Sequence, residues 1–226
     1  MVFVLVHSLL TGPGVWSRVA EELKRRGNEA VAPSLLGPGG APRDWREACD
    51  AATAAVEASS DPVILVGHSG GGLLLPVVAD AVGSHVSGLV FVDSAVPASA
   101  GETPLVPAPL LDDLRALAVD GTLPPWSTWF GEDAMRRLVP DDGLRAMLER
   151  EMPSIPIAYL EQSIPSPPGW DRVPCAYLRL SDGYREAGNE AKARGWRVDE
   201  ISGAEHLHIA VAPDAVTDEL IRLTEA

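Results

Sequence analysis

Lysine is nearly missing from this chain of 226 residues: it occurs only at Lys24 and Lys192. Eighteen Lys and Arg stand against 32 Asp and Glu, a formal net charge of −14 with no basic stripe. A phosphate-rich partner would be repelled on average, which argues against nucleic-acid binding. Cysteine is as scarce. Cys49 and Cys175 lie far apart, and neither has a CxxC or Cys/His neighbourhood, so no disulfide framework and no metal site is expected. No apolar run reaches the length of a membrane span. The opening "MVFVLVH" lacks a basic leader and its apolar part is too short for a signal peptide. It is expected to be the first strand of a sheet, in a protein of the cytoplasm.

What is present is an apolar share of 46% spread without low-complexity runs, the composition of a globular chain. The length suffices for one α/β domain. Apolar runs and helical patterns alternate. Strands are expected over residues 2–6, 29–32, 63–66, 86–92, 175–180 and 197–201, and helices over 14–26, 45–58, up to about 82, 186–194 and 213–223. A Gly/Pro-rich loop is expected from Pro33 to Pro42. This alternation predicts a three-layer α/β/α sandwich on a mainly parallel sheet of about six strands. Residues 95–170 break the pattern with four acidic/apolar helical patches, "LLDDLRALAVD" and "DDGLRAMLEREM" among them. They read as an insertion above the sheet, after the fourth strand. The core is then 1–94 with 171–226, in a single domain without internal repeats.

The stretch "DPVILVGHSGGGLLL" runs a strand into a serine with glycines two residues either side. Gly67-His68-Ser69-Gly70-Gly71 matches G-x-S-x-G in a strand–turn–helix context, the arrangement that exposes a serine at the carboxyl edge of a sheet. The Gly70 N–H and the following helix start would face any oxyanion formed there. The competing interpretation is a glycine-rich loop that packs tightly or holds a phosphate.

A serine needs a base. The chain has five histidines: His7, His68, His85, His206 and His208. His68 lies beside the serine and is expected to be structural; His85 precedes a strand. His206, in "ISGAEHLHIAVAPDAV", follows the last strand and returns to the carboxyl edge, so it is favoured over its rival His208. The carboxylate that would orient it is Asp182 in "AYLRLSDGY" or, as the alternative, Asp93 in "LVFVDSAVP". Each follows a strand, and each could equally be a loop cap.

The order Ser, Asp, His on an alternating βα chain resembles the α/β-hydrolase superfamily across most of the sequence. "VFVLVHSLLTGPGVWSRVAEELKRRG" is similar to that family's first conserved block, in which a strand enters His-Gly-x. The resemblance implies that His7 is the loop histidine and that Leu9 supplies an oxyanion N–H beside that of Gly70. Ser8 stands where glycine is usual, within reach of substrate. The resemblance makes 95–170 a helical cap, and it implies neither a cofactor nor a metal. In the insertion, Trp126, Trp129 and Phe130 cluster in "PPWSTWF", either an aromatic wall over an apolar substrate or a small core that holds the cap.

The expected activity is hydrolysis of a carboxylic ester or thioester of a small molecule through an acyl-enzyme on Ser69. A lyase or cyclase that uses the same serine and histidine as acid and base is the alternative, because fold and triad do not fix the reaction. A ligand-binding receptor with an idle triad is a third possibility. Gly12-Pro13-Gly14 follows the first strand, but Ser17 occupies the third glycine position and no ribose-binding acid follows the second strand, so a dinucleotide site is rejected. The expected partner is a small-molecule substrate; substrate identity and oligomeric state stay open.

Overall fold

A computed structural model describes residues 1–37, 40 and 44–225. Residues 38, 39 and 41–43, within the expected Gly/Pro-rich loop, lie outside the described residues.

The first half alternates as expected. Strand β1 (Val2–Val6) leads through a single 3-10 turn (Pro13–Trp16) into helix α1 (Ser17–Arg25) and strand β2 (Glu29–Val31). Helix α2 (Trp45–Glu57) follows, its N-terminus capped by the Asp44 carboxylate, which accepts from the amides of Arg46 and Glu47. Strand β3 (Val63–His68) is buried throughout. It turns into a 3-10 helix (Ser69–Leu74), helix α3 (Leu75–Val82) and strand β4 (Val86–Val92).

The inserted segment holds α4 (Ala108–Leu117), α5 (Glu132–Leu138), α6 (Asp142–Arg150) and α7 (Ile157–Leu160). It also holds two short antiparallel pairs that its sequence did not announce: β5 (Gly101–Pro104) with β8 (Ser163–Ser166), and β6 (Thr122–Leu123) with β7 (Ile155–Pro156). Strands of two to four residues carry too few side chains to show a period. The chain closes with β9 (Cys175–Arg179), α8 (Arg185–Ala193), β10 (Arg197–Glu200), α9 (His208–Val211) and α10 (Pro213–Thr224). Among the described residues no helix is long and apolar enough to cross a membrane.

The sheet runs β10-β9-β4-β3-β1-β2, and all its neighbouring pairs are parallel. Each strand that is buried on both faces reads as an unbroken aliphatic run for that reason. Strand β1 shows the division. Val4 and Val6 join the layer formed with α2 and α3, whereas Phe3 and Leu5 join the layer formed with α1 and α10. The chain leaves β1 outward to β2 and returns on its other side to β3. The strand order therefore reverses between β1 and β3, and a crevice is expected at their carboxyl ends.

That crevice is tight. A Cβ on Gly71 would lie 2.5 Å from the His7 carbonyl oxygen and 2.7 Å from that of Val6. A Cβ on Gly67 would lie 2.6 Å from the Cα of Gly72. These glycines let the turn after β3 close on itself and on the end of β1. The glycines of Gly12-Pro13-Gly14 have a different purpose. The Gly14 N–H donates to the Glu151 carboxylate at 2.7 Å, and a Cβ at Gly12 would stand 2.5 Å from the Glu151 Cβ. They make room for the inserted segment to dock.

Gly71 and Gly70 form an internal control. Gly71→Ala drives a methyl into backbone that cannot yield and is expected to cost about 3 kcal/mol, the upper end for overpacking. A Cβ on Gly70 would meet only the Ser8 hydroxyl, at 3.7 Å, so Gly70→Ala should change stability by less than about 1 kcal/mol. Urea denaturation of both variants measures the difference. Equal midpoints would show that β1 and the turn do not approach as closely as described.

Candidate active site

Ser69 sits at the apex of the turn after β3 with φ of +53°, a left-handed conformation that costs a residue with a Cβ about 1 kcal/mol or more and is held only when its surroundings dictate it. The close approaches of Gly67 and Gly71 dictate it here. The result aims Oγ out of the sheet edge. The Gly70 amide, second in the new helix, has no partner within that helix. The Leu9 amide likewise has no hydrogen-bond partner among the described residues.

His206 comes from the loop after β10. Its Nδ1 lies 2.8 Å from Oδ2 of Asp93. A carboxylate only accepts, so Nδ1 carries a proton, and Nε2 is the ring nitrogen left without a hydrogen-bond partner among the described residues. Asp93 is fully buried at the end of β4, again with a left-handed φ, +43°. Its carboxylate takes four donors: the amides of Leu180 and Ser181 at 2.9 Å each, the Ser181 hydroxyl at 2.6 Å and His206. Burial pushes its pKa up, but the hydrogen bonds and charge of His206, with those of Ser181, outweigh burial and hold it below the usual carboxylate value.

Asp182 is placed elsewhere, which corrects the expectation that it orients the histidine. Its side chain is largely exposed and is gripped by Arg179 at 3.2 Å and Arg185 at 2.5 Å. It starts the turn before α8 and makes no hydrogen bond to His206 among the described residues. The alternative, Asp93, is the acid in contact. His208 begins α9, where burial lowers its pKa; no hydrogen bond joins its side chain to Asp93, and neither histidine is hydrogen-bonded to Ser69 Oγ among the described residues.

Three supports surround this pair. The His68 ring Nε2 donates to the His206 carbonyl at 2.9 Å, so the residue beside the serine pins the histidine's backbone. His7 donates from Nδ1 to the Ser8 carbonyl at 2.7 Å, while its Nε2 accepts the Leu35 amide at 2.9 Å; this fixes the loop after β1. Tyr184 was not foreseen. Its ring stacks on His206, 5.2 Å between centroids and 7° between planes. Its hydroxyl lies 3.5 Å from Ser69 Oγ, at the outer edge of hydrogen-bonding distance. The available signal was one of only three tyrosines, in a loop at the carboxyl edge.

Ser69 and His206 share a cleft of about 20 Å³ with Ser8, Leu10 and Trp126, room for roughly one water. Trp126 of the inserted segment reaches His206 edge-on at 6.0 Å. Trp129 and Phe130 pack behind it at 6.4 Å from one another, and Phe130 is largely exposed. A larger groove of about 310 Å³ lies between α8 and the strands β9 and β10, bordered by Arg179, Lys192 and Glu200; Arg179 and Glu200 pair with one another there, and it holds no nucleophile. Among the described residues no cluster of side chains could hold a metal ion.

A sequence profile of the alpha/beta hydrolase family matches residues 3–219. Methylesterase 8 of Arabidopsis thaliana is 26% identical over 99% of this chain and 89% of its own. A carbendazim hydrolyzing esterase of a Nocardioides species is 33% identical over 42% of each chain. Among solved structures, an extracellular alpha/beta-hydrolase from a Paenibacillus species superimposes with a TM-score of 0.78 at 18% identity, covering 100% of both chains. Polyneuridine aldehyde esterase does so with 0.74 at 19%, covering 99% of both. At these identities the structures establish the fold.

The buried histidines make stability depend on pH. Burial lowers His7 from 6.5 to about 4, and burial with the charge of His206 lowers His68 to about 3. Between those values and 6.5 the unfolded chain binds protons that the folded chain does not, so stability falls as pH falls. By pH 5 each histidine should remove about 2 kcal/mol relative to pH 8. Denaturation midpoints at pH 8, 6 and 5 test this, and His7→Asn should flatten the slope. A wild-type profile that is flat across this range would contradict the neutral, buried assignment.

Proposed function

The chain belongs to the alpha/beta hydrolase family, and from that premise we propose that it is a serine hydrolase that cleaves a carboxylic ester or thioester through an acyl-enzyme on Ser69. The observation that carries the proposal is the Asp93–His206 hydrogen bond beside a serine held at positive φ. With Nδ1 committed to Asp93, His206 Nε2 accepts the Ser69 proton as Oγ attacks the carbonyl carbon. The carbonyl electron pair moves to oxygen, where the Leu9 and Gly70 amides face it. Collapse expels the alcohol or thiol, which takes the proton back from His206. Water, activated by the same Nε2, then releases the acid. Asp93 stays ionised throughout and stabilises the imidazolium. The esterase names of the curated relatives support this choice of reaction within the family.

Residues 95–170 act as a cap in this reading, with Trp126 as the aromatic contact beside the acyl group; a small, apolar acyl or alkyl group suits it.

The test is intact mass after treatment with a fluorophosphonate. The wild type should gain one adduct, and Ser69→Ala and His206→Ala none. With a p-nitrophenyl ester panel, Asp93→Asn should lower kcat by about 10⁴, the loss that follows when the histidine takes the wrong tautomer, while Asp182→Asn stays within a few-fold of wild type. An unlabelled wild type would sink the hydrolase proposal and turn the search to lyase or cyclase chemistry. A large loss in Asp182→Asn with a small one in Asp93→Asn would reverse the assignment of the acid.

A further inference from the structure

The Ser8 hydroxyl is buried, and it lies on the wall of the same cleft as Ser69. Its Oγ accepts the Leu10 amide at 3.3 Å. An amide can only donate, so the Ser8 proton must point elsewhere. Among the described residues it meets no acceptor. A buried hydroxyl whose proton is unused is costly unless water or a ligand oxygen takes it.

The backbone of the residue is firmly held. Its carbonyl accepts three bonds, from His7 Nδ1 at 2.7 Å, the Thr11 amide at 3.1 Å and the Thr11 hydroxyl at 3.1 Å. Opposite it stands Gly70. No backbone forbids a side chain there: a Cβ on Gly70 would meet only Ser8 Oγ, at 3.7 Å. The missing side chain leaves a gap with the Ser8 hydroxyl on one side and the backbone of Gly70 on the other.

We propose that Ser8 is a further catalytic residue, its hydroxyl a third hydrogen-bond donor to the oxyanion beside the amides of Leu9 and Gly70. The inference rests on the hydrolase reading of Ser69 and adds a side chain to it. As Ser69 Oγ bonds to the carbonyl carbon and the π pair moves to oxygen, the Ser8 O–H shortens its bond to that oxygen and keeps its proton. With its backbone held by three bonds to the carbonyl and its oxygen engaged by the Leu10 amide, this hydroxyl reorganises little when charge develops, which is the condition for lowering a barrier.

The test compares Ser8→Ala, Ser8→Gly and Ser8→Thr in the full chain with p-nitrophenyl butyrate. Phenylboronic acid serves as the second probe, because its adduct with Ser69 is tetrahedral. Ser8→Ala and Ser8→Gly should lose about 100-fold in kcat with KM within about twofold, the signature of a contact made in the transition state. Boronate affinity should weaken in the same variants. Ser8→Thr, which keeps the hydroxyl, should recover most of both. If Ser8→Ala fails to fold by circular dichroism, Ser8→Gly carries the comparison. Unchanged kcat in the alanine and glycine variants overturns the proposal. So does a loss that Ser8→Thr fails to restore, or one that leaves boronate affinity untouched. A wild type that neither binds boronate nor reacts with a fluorophosphonate overturns the Ser69 reading itself, which a Ser8-specific failure leaves standing.

Discussion

The buried carboxylate of Asp93 is the constraint on which the carboxyl edge of the sheet depends. A charge taken out of water is costly unless its lone pairs are filled. Asp93 fills them with donors from two other loops: the amides and hydroxyl at Leu180 and Ser181 after β9, and the His206 ring after β10. Two loops that each lie more than eighty residues from Asp93 in the chain are thereby fixed to it. Losing any one donor would leave a buried charge short of a partner, so the loops are held as a set. Because the same bond commits His206 Nδ1, it also decides which nitrogen is free for chemistry. Structural satisfaction and proton placement are one arrangement.

The elbow is built by the opposite means, the removal of side chains. Gly67, Gly71 and Gly72 have no Cβ because the turn touches itself, the end of β1 and the Ser94 side chain. That contact holds Ser69 in its left-handed conformation and sets it beside the loop that His7 fixes. The free amides then follow from topology. Strand order reverses between β1 and β3, so the loop after one and the helix start after the other meet over the same crevice.

Much of this was legible in the sequence, for physical reasons that also mark where legibility ends. Buried parallel strands must be aliphatic on both faces, so β1, β3 and β4 announce themselves. G-x-S-x-G is local and survives without any knowledge of contacts. The choice between Asp93 and Asp182 was not local. Both follow strands, and β4 and β9 are neighbours in the sheet, so both loops reach the edge where His206 arrives. What separates them is direction. A φ of +43° turns Asp93 inward, while arginines three residues before and after Asp182 hold it at the surface. The Arg-x-x-Asp-x-x-Arg spacing is visible in the sequence and could have counted against Asp182. Tyr184 was hidden for a related reason, since only the stacking geometry reveals that a residue of that turn faces the histidine.

The inserted segment brings a different consequence. The cleft holds about one water, far less than the several hundred Å³ that a small-molecule site offers. An ester held at Ser69 therefore extends beyond this cleft or presses on its walls. The walls differ in how firmly they are held. Ser8 is fixed by the bonds of His7 and Thr11, and His206 by Asp93, His68 and Tyr184. Trp126 belongs to a short 3-10 turn of the insertion and meets His206 only at 6.0 Å, edge to face. Displacing it gives up aromatic and apolar contacts with His206, Phe130 and the core, whereas displacing the others breaks hydrogen bonds to buried groups. Of these walls Trp126 is the one whose side chain makes no hydrogen bond among the described residues, and the segment that carries it docks in part through the Glu151–Gly14 bond.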